Sequence, residues 1–150
     1  ATWERAWKHF ESDPQVTLDY IYNNRLGYQF DINNSMYFLS MLHKQLKGDI
    51  DSWAIRWYGS MFMHGGLSLH PAQSLTQNHG FDGSGAHCSI TDDYDVAMSQ
   101  ALPDFSDDIM ECPEAVTAMI KYRDTMHKPG VIGKLERMVV NMLNRFQYTK

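Results

Sequence analysis

The chain has 150 residues, 43% hydrophobic and 13% aromatic, with a formal net charge of -5 and an isoelectric point near 5.7. That apolar content excludes a disordered chain, and the length suits one domain with its own core. The acidic balance argues against non-specific nucleic-acid binding, and no apolar run approaches the ~20 residues that a membrane-spanning helix needs.

In chain order the pattern is mostly helical. Trp3, Ala6, Trp7 and Phe10 share one face of a helix predicted over 2–10, with Thr2 as its cap. Asp13-Pro14 opens a second helix, over 14–26, because proline is tolerated in a first turn. It carries Val16, Leu18, Tyr20, Ile21 and Tyr22 and ends before Gly27. Asp31 to Ser35 is a cluster of capping residues, and Met36, Phe38, Leu39, Met41, Leu42 and Leu46 predict a third helix over 34–47, stopped at Gly48.

Residues 48–88 hold seven of the ten glycines and four of the seven histidines, so the functional residues are expected here. Asp51 stands before Ser52 and Trp53 as an N-cap would, opening a helix over 52–64 that the pair Gly65-Gly66 stops. Leu67-Ser68-Leu69-His70-Pro71 alternates like a short strand, and a second strand is expected near 74–78. A polar, glycine-rich loop then runs from Asn78 to Cys88.

Between residues 92 and 111 there are seven acidic side chains and no basic one, the composition of a solvated loop. Pro113-Glu114 opens a helix to about residue 127, which Pro129-Gly130 breaks. A final helix over 131–146 carries an apolar stripe of Leu135, Val139, Met142 and Phe146. The fold class expected is α+β and helix-rich, as one domain over 1–150. Cys88 and Cys112 make no disulfide framework, so a reduced, cytoplasmic setting is the default.

Three segments carry a family resemblance. DSWAIRWY at 51–58, a strand ending in proline, and N-x-G-x-D-G-S-G-x-H-C from Asn78 to Cys88 resemble the C-terminal part of bacterial GT-A glycosyltransferases, the family 2-like sugar transferases of surface polysaccharide synthesis. Ala1-Thr2-Trp3-Glu4-Arg5-Ala6-Trp7 resembles the stretch just after the tryptophan-rich segment of those proteins. The resemblance covers roughly residues 1 to 95 and fades in the tail.

It implies the acceptor-side portion of a GT-A α/β fold, without the nucleotide-binding half and its D-x-D motif. Asp49-Ile50-Asp51 and Asp93-Tyr94-Asp95 come after the helical segment and do not take that motif's place. The resemblance further implies a nucleotide-sugar donor and a carbohydrate acceptor engaged with that other half. It implies Mn²⁺ or Mg²⁺ in the complete enzyme, none held tightly by this part alone, and it allows peripheral membrane association.

For single residues two readings stand side by side. Asp51 is the catalytic base that deprotonates the acceptor hydroxyl by the resemblance, or simply a helix cap. Trp53 and Arg56, one turn apart, suit a sugar face and an anionic group, or a core indole and a structural ion pair. Trp57 is expected in the core. Asn78, Asp82 and Ser84 bind sugar hydroxyls, or Asp-Gly-Ser-Gly is an ordinary turn. By the resemblance His87 is a ligand of the nucleotide-bound metal; otherwise it is a loop histidine.

His64, His70, His79 and His87 are spaced by six, nine and eight, which provides no H-E-x-x-H zinc pair. The alternative to an acceptor-binding part is a non-catalytic helical interaction module or a carbohydrate-binding module.

Overall fold

Helix ends, rather than helix interiors, decide the layout of this chain. The computed structural model describes residues 2–77, 79–84, 90–92, 95–104 and 108–126. Among them are α1 (Glu4–Trp7), α2 (Pro14–Asn23), α3 (Gly27–Phe30), α4 (Phe38–Lys47), α5 (Trp53–Met63) and α6 (Pro113–Met126). The helix-rich part of the expected class is present, and no strand forms among the described residues, which therefore do not show an α+β fold. The helix expected over 131–146 lies outside the described residues.

The chain divides into two compact units, one of Ala1–Leu67 with Glu111–Lys150 and one of Ser68–Met110. In the first unit α2, α4 and α5 pack on one another, with α3 wedged against α2 and α4. The core is Leu18 and Ile21 from α2, Phe30 from α3, Leu42 from α4 and Ile55 from α5, with Leu26, Phe38, Leu39, Tyr58 and Phe62 around it. Burying an aliphatic or aromatic side chain of this size contributes about 1.5–3 kcal/mol. Gly59 lets α2 and α5 approach, because a Cβ there would lie 2.7 Å from Thr17 Cγ2.

Three helices end in the same way. Leu26 N–H donates to the Ile21 carbonyl and Arg25 N–H to the Tyr22 carbonyl, the paired bonds of a Schellman end, with Arg25 in the left-handed region at φ 57°. The same pair of bonds ends α4 at Gly48 (φ 78°) and α5 at Gly65 (φ 63°). The glycine stops are legible from sequence. The Arg25 stop is not, which is why α2 ends at Asn23 instead of running to 26.

The start of α4 differs more. It begins at Phe38 rather than 34, because Ile32, Asn33 and Asn34 adopt φ of 46°, 57° and 57° and form a left-handed turn. A β-branched residue there is disfavoured, at about 1–2 kcal/mol. Bonds from Asn33 N–H to the Tyr28 carbonyl and from Met36 N–H to the Asp31 carbonyl hold the turn, and Asp31 Oδ1 accepts from Leu39 N–H at 2.7 Å. Asp31 thus caps α4 from eight residues upstream.

Helix α1 is shorter than expected. Trp3 occupies its N-cap with no side-chain bond, so Thr2 is not the cap, and the chain to Phe10 continues as tight turns through His9 N–H to Ala6 O and Phe10 N–H to Trp7 O. Asp13 does cap α2, its Oδ1 accepting from Gln15 N–H at 2.9 Å.

In the second unit the expected strands do not form among the described residues. Leu67 and Leu69 are both exposed, the latter at 79%, and no partner strand meets their backbone groups among the described residues. Near residue 74 the Ser74 hydroxyl donates to the Thr76 carbonyl, a local turn that competes with a ladder. Scattered bonds hold this unit, among them Ser99 N–H to Ser74 O at 2.8 Å and Gln77 Nε2 to Asp95 Oδ1 at 2.7 Å.

Candidate functional site at the start of α5

The N-terminus of α5 is built by three polar side chains with separate tasks. Ser52, not Asp51, is the N-cap, its Oγ accepting from Ile55 N–H at 3.4 Å. Gln45 at the end of α4 accepts from Ser52 N–H through Oε1 at 2.7 Å, which ties the two helices at this point. Capping by Ser52 leaves the Asp51 carboxylate with a different partner. Arg56, one turn along α5, donates from Nη2 to Asp51 Oδ1 at 3.0 Å and from Nε to the Ser52 carbonyl at 3.3 Å.

The pair is asymmetric. The Asp51 side chain is 89% exposed and that of Arg56 only 23%, so the guanidinium is anchored and the carboxylate faces solvent. An exposed pair of this kind contributes at most about 1 kcal/mol to stability, so stability does not explain it. Trp53 on the same turn is 62% exposed, which removes its core reading. Asp51 thus stands just ahead of the cap and pairs with Arg56, while Trp53 and Arg56 lie on the first turn of α5, so that an acceptor oxygen, an indole and a guanidinium are gathered at this helix start.

Trp57 is half-buried and stacks on Trp7 with ring centroids 4.9 Å apart, and Trp7 stacks on Phe10 at the same distance. Ser60 fastens that N-terminal segment to α5: its buried hydroxyl accepts from Glu11 N–H at 2.8 Å and donates to the Arg56 carbonyl at 2.7 Å. His9 and His64 also meet, their rings tilted at 44° with centroids 4.4 Å apart. Pairings between residues some fifty positions apart leave no signal in spacing.

The other sequence candidates lie in the second unit or outside the described residues. Asp82 Oδ1 accepts from Ser84 N–H at 2.8 Å across Gly83 (φ 96°), the arrangement of a turn. Hydrogen bonds from the Ser84 hydroxyl and backbone N–H hold the exposed Asp82 carboxyl below the ordinary carboxylate range. Asn78 and His87 lie outside the described residues. No three His, Cys, Asp or Glu side chains converge to hold a metal ion among the described residues.

A polar pair inside the first unit leaves no trace in the sequence pattern. Tyr58 donates to the Phe30 carbonyl at 2.8 Å, and burial, then the nearby Asp31 charge, push its phenol up to about 12. Burial also raises Asp31, against the lowering by backbone N–H groups of Leu39 and Phe38. This pair is structural: it ties α3, α4 and α5 beneath the core. Among the described residues no helix is long and apolar enough to cross a membrane. Comparisons of the chain with protein-family models, with curated proteins and with solved structures found no match in any of the three.

Proposed function

We propose that this chain is the acceptor-binding part of a nucleotide-sugar-dependent glycosyltransferase of surface polysaccharide synthesis, inactive without its nucleotide-binding half. One observation carries the reading: Asp51 is relieved of capping by Ser52, steadied by Arg56 at 3.0 Å and turned to solvent beside an exposed Trp53. In this reading Asp51 accepts the proton of the acceptor hydroxyl as that oxygen attacks the donor sugar. Trp53 stacks on the C–H face of the acceptor ring, and Arg56 holds the carboxylate in place.

The divalent ion of the complete enzyme belongs, in this reading, with the nucleotide diphosphate on the other half. The part that the resemblance gives His87 rests on sequence alone.

The test joins the chain to a nucleotide-binding half of this transferase type and measures sugar transfer. Asp51→Asn keeps the shape and removes proton acceptance, so kcat is expected to fall by about 10²–10⁴ with donor affinity little changed. Full turnover by Asp51→Asn, or transfer by the isolated 150 residues, would overturn the assignment.

A second reading has its own observation. Trp3, Trp7 and Trp53 are all exposed, and exposed indoles are anchors that a non-catalytic interaction or carbohydrate-binding module would use. The two readings separate on Asp51→Asn, which leaves binding by such a module unchanged.

A further inference from the structure

Two histidines far apart in the chain meet on the surface of the first unit. Trp7 stacks on Trp57 and the Ser60 hydroxyl accepts from Glu11 N–H, so the segment from Trp7 to Glu11 is held against α5. His9 lies in that segment, and His64 is the C-cap of α5, one turn beyond Ser60. Their rings come to centroids 4.4 Å apart with planes tilted at 44°, which is not a face-to-face stack. Both side chains are exposed, and among the described residues neither imidazole has a hydrogen bond or an ion pair. In its neutral form each therefore keeps a nitrogen lone pair for a ligand.

The spacing is that of two imidazoles on one ion. Imidazole nitrogens bind zinc-like ions at ~2.0–2.1 Å, which puts each ring centroid ~3.2 Å from the ion and two neighbouring rings ~4.5 Å apart at a right angle or ~5.2 Å apart at a tetrahedral angle. The measured 4.4 Å meets the right-angle value. We infer that His9 and His64 form a two-imidazole site for a divalent first-row transition metal, Ni²⁺ or Cu²⁺ ahead of Zn²⁺.

The order follows from geometry: Ni²⁺ and Cu²⁺ accept ligands at right angles, whereas Zn²⁺ needs the two rings to part towards the tetrahedral value. Among the described residues no third histidine, cysteine, aspartate or glutamate joins them, so water fills the remaining positions. The bound ion ties the segment ahead of α2 to the end of α5. Mg²⁺ and Mn²⁺ favour oxygen ligands, so this site is separate from the ion of the transferase reading and does not depend on that reading.

Calorimetric titration of the tag-free 150-residue chain with NiCl₂, ZnCl₂ and MgCl₂, with the melting temperature measured alongside, tests the site. Ni²⁺ is expected to bind and raise the melting temperature, Zn²⁺ to bind more weakly, and Mg²⁺ not to bind. His9→Phe and His64→Phe each keep a ring at the contact and remove its nitrogens. Each is expected to weaken Ni²⁺ by at least about tenfold and to abolish the rise in melting temperature. His70→Phe, in the second unit, is expected to leave Ni²⁺ binding unchanged. No Ni²⁺ binding, Ni²⁺ binding that survives either of the first two substitutions at full strength, or Mg²⁺ binding equal to that of Ni²⁺ would overturn the inference.

Discussion

The two units of this chain hold themselves together by different means. In the first, five hydrophobic side chains from four helices meet in a core, and paired end bonds stop three of the helices. In the second, Leu69, Ile90, Met98, Leu102, Ile109 and Met110 are all exposed, and turn bonds from serine, glutamine and aspartate do the stitching. Apolar residues are present in both. What differs is helical spacing, which gathers them on one face in the first unit only. Hydrophobic composition alone therefore does not make a core.

The largest expected effect tests that contrast directly. Leu42→Ala removes a fully buried side chain and is expected to cost about 2–5 kcal/mol in urea unfolding. Leu102→Ala in the second unit is expected to stay within about 0.5 kcal/mol. Equal costs would break the comparison.

Next in size is the α2–α5 contact. Gly59→Ala drives a methyl to within 2.7 Å of Thr17 Cγ2 and is expected to cost about 1–3 kcal/mol. Thr17→Ala in the same chain is expected to return part of that loss, a coupling that a double-mutant cycle measures.

The Asp31–Tyr58 pair sharpens the comparison through pH. The folded phenol ionises at about 12, above its ordinary value of 10.0, so the folded state holds this proton more tightly than the unfolded state. Its stabilisation is full below pH 10 and is lost as pH rises from 10 towards 12. Asp31 is also raised, so protonation of this carboxyl favours the folded state: its contribution is present below the ordinary 3.8 and is lost as pH rises through the folded value. Asp31→Asn keeps an acceptor for Leu39 N–H without a buried charge and is expected to match or exceed the parent melting temperature. Asp31→Ala orphans that N–H and is expected to cost about 1–3 kcal/mol. Ultraviolet titration of Asp31→Asn should show Tyr58 ionising at lower pH than in the parent.

The smallest stability effect is expected at the candidate site. Asp51→Asn breaks an exposed ion pair and should shift unfolding by less than about 1 kcal/mol. A larger loss would make Asp51 a structural residue and weaken its assignment as a base.

Much of the first unit is legible in the residues. Apolar spacing places α2, α4, α5 and α6 within a few residues of where they stand, and Asp13-Pro14, Gly48 and Gly65 mark their ends. The boundaries that spacing misses are those where the backbone takes a conformation its residues disfavour. Arg25 and Ile32 adopt positive φ because bonds to Tyr22 and Gln29 and the packing around Phe30 hold them there. At the candidate site the residue order puts Asp51 just ahead of Trp53 and Arg56, which are one turn apart, yet it does not reveal that Ser52 rather than Asp51 takes the cap.

The strand pattern fails for a related reason. Alternation at 67–71 reports that every second residue is apolar, and it says nothing of a partner strand. A strand without a neighbour leaves its backbone groups to water, so the pattern alone cannot make one.

What the sequence determined by itself is local: which segments coil, where glycine ends them, and that an acid, an indole and a guanidinium fall within six residues at the start of α5. Only tertiary structure decided that Ser52 caps this helix with Gln45 bracing it from α4, and that Asp51 faces solvent. It also decided that Trp57 is covered by Trp7 while Trp53 is not. Local preferences act through neighbours in the chain, a few residues apart. Exposure and pairing depend on what the rest of the chain brings alongside, and spacing carries no record of that.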